Sequence, residues 1–408
     1  MTPQPRDESH ALTLPAVAAL ILSMGLVGVS FGASAPLVAS ILEERGFSEY
    51  YTGGVSAALS LAIALLSPLA GRWVARSGAR RIAVAGIILQ GVCFSALGLA
   101  LAVHEDLLFP VRFLLGLAAC MTFVAAETAL LRGVPAYTRG RAMAAYGTVL
   151  GLGYGGGVLA SGPAYEWLGL VCFALVGIIA IVMTPVCLWG MKSLPRPDPA
   201  RSRQRDGGRL VWRVAALGIF GAVLFGVLDN GMTGVYPVEG QRLGFSRVEA
   251  LNIVGVMLIA SVLIQPFCGM IADRIGAKRV LAALGVIGLA ASLATGWIAW
   301  TGVGFTATLV GFFFIGLAGG GAYPVCLKIL GDRVPSESLP AANAAFSAAY
   351  GWASLTGPLL GAALIDAAGL LGLLGWALPG LSAAIFLVMI PLLILDRRWK
   401  RLPPTAGT

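Results

Sequence analysis

Twelve predominantly apolar stretches follow one another along the chain, each near the length a helix needs to cross a bilayer. Six lie near 12–38, 50–70, 82–102, 108–131, 142–163 and 168–190, and six more near 213–237, 248–270, 280–299, 305–329, 340–363 and 373–394. A spanning helix takes about 20 apolar residues. Only 12% of the 408 residues are charged, about half the share in a soluble domain. A water-soluble fold would lack the polar surface to cover these runs. The chain therefore reads as an all-α membrane protein of twelve transmembrane helices, with the lipid bilayer as its main partner.

A net charge of +9 would suit nucleic acid, but its placement points elsewhere. If the runs are threaded through a membrane in order, 24 Lys and Arg fall on the side of the two termini. Three, Arg45, Arg242 and Arg247, fall on the other, and Arg112 lies within a run. That asymmetry is the positive-inside pattern. It predicts a multi-pass protein of a bacterial-type inner membrane with both termini cytoplasmic, and no nucleic-acid partner. The six Cys all lie in apolar runs without a CxxC pair and read as small packing residues. His10 and His104 lie outside the runs, so no metal site is expected. The first run ends in Ala33-Ser34-Ala35, which resembles a signal-peptidase site. The run is long for a signal peptide and has a counterpart deep in the chain, so it reads as a retained first helix.

That counterpart belongs to an internal repeat. At an offset of 198, Gly46-Phe47-Ser48 aligns with Gly244-Phe245-Ser246, Pro68 with Pro266, Gly71 with Gly269 and Gly78 with Gly276. At an offset of 200, Gly116-Leu117-Ala118 aligns with Gly316-Leu317-Ala318, Val134-Pro135 with Val334-Pro335, Gly151 with Gly351 and Gly157 with Gly357. The repeat divides the chain into a six-helix bundle over 1–191, a basic cytoplasmic linker over 192–211 and a second six-helix bundle over 212–408. Parallel repeats of this kind place a small-molecule site near the midplane between the halves and work by alternating access. A monomer is expected to suffice.

The turn after the eighth run holds Gly269, Asp273, Arg274, Gly276, Lys278 and Arg279, spaced as Gly-x-x-x-Asp-Arg-x-Gly-x-Lys-Arg. The turn after the second run repeats it with Gly71, Arg76, Gly78, Arg80 and Arg81, but with Ala75 in the place of the Asp. This spacing resembles the loop signature of the major facilitator superfamily, and the resemblance covers nearly the whole chain. It implies two pseudo-symmetric six-helix bundles, secondary transport, and a cytoplasmic latch that Ala75 weakens in the first half. Physically, Gly276 can take a positive φ for the tight turn, and Asp273 can cap or pair at the junction. Arg112 and Gly116 in the fourth run resemble a motif of that superfamily's drug/proton antiporters, in which the Arg is tied to proton coupling. Their helix-packing Gly-Pro motif is displaced in the fifth run, where Val158 follows Gly157 and Gly162-Pro163 comes a turn later. It is intact as Gly357-Pro358 in the eleventh.

A charge at the centre of a spanning helix costs about 2.5–3.5 kcal/mol, so intramembrane charges are candidate functional groups. Asp229, beside Asn230, aligns with Phe31 in the other half. It reads either as a proton-coupling or cation-binding carboxyl, or as a cap on a helix broken near Gly231. Glu127 aligns with Leu327. It reads either as a proton or substrate site, or as half of a gate ion pair with Arg139, Arg141 or an arginine of the second turn. Arg112 aligns with Phe312. It reads either as a group that binds an anion or tunes a carboxylate, or as a side chain snorkelling to the outer surface. Asn230, Tyr146, Tyr154, Tyr323, Asn343, Tyr350 and Trp352 are candidate cavity residues, although aromatic residues near helix ends also serve as interface anchors.

The functional expectation is a proton-coupled secondary transporter that exports a small organic or amphipathic solute. The spans hold few Asn and Gln, chiefly Gln90, Gln265, Asn230, Asn252 and Asn343, which is sparse for a sugar site. Uptake of an organic acid anchored by Arg112 is the alternative, and a membrane enzyme or scaffold the third. An enzyme is not expected, because no phosphate-binding Gly-rich loop, HExxH or Cys/His cluster occurs. The proton gradient, rather than a cofactor, would supply the energy. The orientation is testable with a membrane-impermeant maleimide on intact cells. His104→Cys should label from outside, and Ser202→Cys only after the membrane is opened; the reverse would invert the topology.

Overall fold

The computed structural model describes residues 12–194, 208–302 and 304–395. Most of the linker expected at 192–211 lies outside the described residues, as do the chain ends. A backbone in hydrocarbon must satisfy its own polar groups, and all regular structure among the described residues is helical. The first six runs form α1 (Leu14–Glu44), α2 (Glu49–Ser77), α3 (Ala79–Val103), α4 (Leu108–Gly133), α5 (Arg139–Leu168) and α6 (Val171–Gly190). The seventh forms α7 (Gly208–Gly226), a π-helical turn (Val227–Met232) and α8 (Thr233–Arg242). The rest form α9 (Arg247–Ile275), α10 (Ala277–Thr301), α11 (Phe305–Arg333), α12 (Leu339–Leu370) and α13 (Ala377–Leu395).

Among the described residues, ten helices are long and apolar enough to cross a membrane, and the bent pair around the π-helical turn, counted as one span, makes an eleventh. The twelfth expected span is α5, whose 30 residues are ample for a crossing at 1.5 Å per residue. Its many glycines dilute its hydropathy, so length rather than composition marks it as a span. Large apolar side chains such as Leu99, Leu159, Ile259 and Leu359 remain exposed on the helix faces, as expected where lipid is the solvent.

The repeated motifs have local physical explanations. Gly46 (φ 79°) and Gly244 (φ 93°) end the first and seventh spans in a backbone region that favours glycine. Phe47 and Phe245 then donate their N–H groups back to Leu42 O and Gly240 O, each at 3.0 Å. Ser48 and Ser246 cap the following helices, and Ser246 and Glu249 form a capping box. Gly78 (φ 85°) and Gly276 (φ 97°) make the tight turns expected of the loop signature.

The seventh span differs from the continuous helix expected over 213–237. Its two parts are bent by 53°, and the helix continues to Arg242. Pro237 supplies a cause: a proline cannot donate to the carbonyl four residues back and its ring clashes there. That carbonyl belongs to Thr233, at the junction.

By their internal contacts, the residues fall into two compact units. One comprises the described residues within 1–62, 66–205 and 335–344; the other comprises those within 63–65, 206–334 and 345–408. In the first unit α1 and α5 pack through small residues. A Cβ on Gly28 or Gly32 would meet the backbone of Leu150 or Tyr154, and one on Gly157 would lie 2.5 Å from Val29 O. In the second unit Gly231 of the π-helical turn lies against Gly357 of α12. Small residues let helix backbones approach in this way. Gly157→Leu should therefore cost about 1–3 kcal/mol by overpacking, read as a lowered thermal-unfolding midpoint in detergent. Gly156→Ala, with open space at its Cβ position, should leave the midpoint unchanged or slightly raised.

Candidate substrate and coupling site

The second unit gathers a polar cluster around the irregular turn. Such π-helical turns displace side chains relative to a regular helix and often occur at functional sites. Asn230 Nδ2 donates to Ser354 Oγ at 3.0 Å and to Tyr350 Oη and Asp229 Oδ2, each at 3.3 Å. Tyr350 Oη donates to Asp229 Oδ2 at 3.2 Å. Asp229 thus lies in the first turn of the π-helical segment, within a hydrogen-bonded cluster. It also lines a small pocket with Phe225, Leu228, Met257, Ser261 and Gly319. Phe225 stacks on Tyr350 and packs against Tyr323, whose ring also meets Phe346. The expected residues Asp229, Asn230, Tyr323 and Tyr350 are therefore brought together.

The first unit holds a cation instead. Arg112 is 2% exposed, so it does not snorkel. Its Nη1 donates to Ser34 Oγ at 3.1 Å and its Nη2 to Ser34 O at 2.8 Å, which ties α4 to α1. Its Nε has no hydrogen-bond partner among the described residues. No carboxylate of the described residues forms an ion pair with it; its other electrostatic neighbour is Tyr154. A buried, always-charged guanidinium held by one serine retains unused donor capacity.

Glu127 accepts from Tyr146 Oη at 3.0 Å, and both side chains are buried. Asn343 is also buried and donates to Thr128 Oγ1 at 3.0 Å. Trp352 is 48% exposed and belongs to neither constellation.

The loop signature is anchored differently in the two units. Asp273 pairs with Lys328 at 3.2 Å, and Lys328 also meets Asp332 at 3.3 Å. Lys328 counted above as a surface cation, but the structure buries it within α11. Arg274, Lys278 and Arg279 are exposed. In the first unit the positions aligned with Asp273, Lys328 and Asp332 hold Ala75, Thr128 and Arg132. The same arrangement of charges cannot form there. Arg80 instead donates to Leu188 O at 3.4 Å, while Arg76 and Arg81 are exposed.

Ser354 and Lys328, and Ser34 as the partner of Arg112, carry no signal of their roles in the sequence. Isolated serines in apolar helices carry no motif, and Lys328 lies close enough to a helix end to resemble a loop cation. Glu239 escaped for a simpler reason: the seventh run was ended at 237, whereas the helix continues past it.

The sequence profile of the Major Facilitator Superfamily matches residues 20–301 and again 219–407. An uncharacterised MFS-type transporter of Bacillus subtilis, YfkF, is 24% identical over 352 residues, covering 84% of this chain and 86% of its own. A Yersinia pestis MFS-type transporter is 28% identical over 78% of both chains. Among solved structures, the human organic anion transporter MFSD10 is similar in fold, with a TM-score of 0.77 at 15% identity, over 93% of this chain and 99% of its own. The proton:xylose symporter XylE aligns with a TM-score of 0.72 at 17% identity, over 92% and 96%. Together with the helical fold and the repeated loop signature, these matches show that the chain belongs to the Major Facilitator Superfamily of membrane transporters.

Proposed function

We propose that this transporter is a proton-coupled secondary carrier of a bacterial-type inner membrane, exporting a small organic or amphipathic solute by alternating access. The observation that carries the reading is Asp229, a carboxyl on an irregular turn of a bent span, hydrogen-bonded to Tyr350 and facing a pocket of largely apolar side chains. In this reading Asp229 exchanges a proton as solute enters and leaves. Tyr350, Asn230 and Ser354 hold the carboxyl in both states, and Phe225 and Met257 meet the apolar part of the solute. Glu127 and Tyr146 form a second buried polar pair in the N-terminal bundle. The chain works as a monomer with cytoplasmic termini, uses the proton gradient without a cofactor, and performs no covalent chemistry.

Inside-out vesicles with an imposed proton gradient and a pH-sensitive dye test this, using a panel of lipophilic cations, organic acids, sugars and amino acids. A solute of the panel should drive proton movement in the native protein. Asp229→Asn should reduce it about tenfold or more, the scale on which 1.4 kcal/mol of lost interaction registers. Unchanged proton movement in a folded Asp229→Asn protein would sink the assignment.

Arg112 favours a second reading, in which the solute is an organic acid and the same fold runs as an uptake carrier. A carboxylate is the partner a guanidinium fork fits in two-point geometry, and Arg112 has donors to spare. The fold-level likeness to an organic anion transporter is compatible with this reading. Competition by organic acids should weaken about ten- to hundredfold in Arg112→Gln. Arg112→Lys should recover only part of it, since a lysine keeps the charge but loses the fork. Competition by lipophilic cations alone would exclude the organic-acid reading.

A further inference from the structure

We propose that Glu239 is a second proton-exchanging carboxyl of the C-terminal bundle, seated between α8 and the amino end of α13. The inference rests on the proton-coupled reading above and extends it to a residue outside the Asp229 cluster. Glu239 is 0% exposed. Its Oε1 accepts from Leu378 N at 3.5 Å, and its Oε2 has no hydrogen-bond partner among the described residues. The same holds for the hydroxyl of Tyr236, three residues back on the same helix face. Tyr236 is itself 1% exposed and packs on Phe312 with ring centroids 4.2 Å apart.

No arginine or lysine among the described residues pairs with Glu239. Arg242, on the same helix, is bonded to Asp366 at 2.7 Å. From α9, Glu249 is engaged by Ser246, and the Arg247 side chain lies outside the described ones. Residues 374–376 and α13 contribute no titratable side chain. Asp229 lies ten residues back, across the bend of the span, and no hydrogen bond joins the two carboxyls among the described residues. The two carboxyls therefore exchange protons separately.

Packing does not require this carboxyl. The aligned position in the first unit is Ile41, which is 2% exposed, so an aliphatic side chain fills the corresponding place there. Both protonation states find support at Glu239. The ionised form faces a helix amino end, where negative charge is favoured. The protonated form is favoured by burial, because Oε2 has no hydrogen-bond partner among the described residues, and the Tyr236 hydroxyl lies buried one turn back. A group that accepts a proton from water and returns it needs this tolerance of both states.

The test uses the full-length protein in lipid nanodiscs, following the infrared carbonyl band of protonated carboxyls as the pH is stepped. Native protein should show a band titrating with pH that is lost in Glu239→Gln and retained in Asp229→Asn. Tyr236→Phe, which keeps the carboxyl, should shift that band's midpoint and serves as the arm if Glu239→Gln fails to fold. Retention of every titrating band in Glu239→Gln, or an unmoved midpoint in Tyr236→Phe where only that variant folds, would overturn the inference. Proton-linked flux lost in Asp229→Asn alongside unchanged bands in Glu239→Gln would overturn it while leaving the Asp229 reading intact. A Glu239 band that titrates in a protein whose flux ignores Asp229→Asn would do the reverse.

Discussion

Hydrocarbon offers no hydrogen-bond partners, and the rest of this structure depends on that constraint. Every backbone donor and acceptor in a span has to be satisfied within the protein, so the spans are helices, several of which end in glycine turns and two of which begin at serine caps. The departure in the seventh span is informative. Its π-helical turn and bend lie where Asp229, Asn230, Tyr350 and Ser354 collect. Irregular backbone at membrane depth is tolerated where it is surrounded by protein or lines a cavity, and both descriptions apply to this segment.

The internal repeat supplies a comparison within one chain. Asp229, Glu239, Arg112 and Glu127 align with Phe31, Ile41, Phe312 and Leu327. Phe312 and Leu327 are 0% exposed, while Arg112 and Glu127 are 2% and 1% exposed. Equivalent places in the scaffold are thus packed equally well by apolar side chains. The charges are additions that burial opposes, and each is compensated locally: Arg112 by Ser34, Glu127 by Tyr146, and Glu239 in part by Leu378 N. The loop signature shows the same division. Asp273 and the buried Lys328 form a charge cluster with the partly exposed Asp332 in one unit, and the aligned Ala75, Thr128 and Arg132 cannot reproduce it. One helical scaffold carries different polar chemistry in its two halves.

Much of this organisation is legible in the sequence because it rests on local rules. Apolar runs of spanning length predict the helices. The aligned Gly46-Phe47-Ser48 and Gly244-Phe245-Ser246 segments predict a helix end, a turn and a cap, and the structure contains them. The loop signature predicts the turns at Gly78 and Gly276. Rarity in an apolar run was enough to single out Asp229, Glu127 and Arg112, because a charge there is costly wherever it points.

The direction of each long side chain is what tertiary structure alone decided. Arg112 turns inward because Ser34, 78 residues away in the chain, meets its guanidinium. Lys328 looks like a loop cation until Asp273 is placed beside it. Glu239 lies past the apparent end of an apolar run and becomes a buried carboxyl only when the seventh span bends and the last helix brings Leu378 against it. Hydropathy and spacing report which residues share a span, and so determined the helices, their repeat and their turns. Which polar atoms meet depends on contacts between segments far apart in the chain, and only the packed bundles specify those.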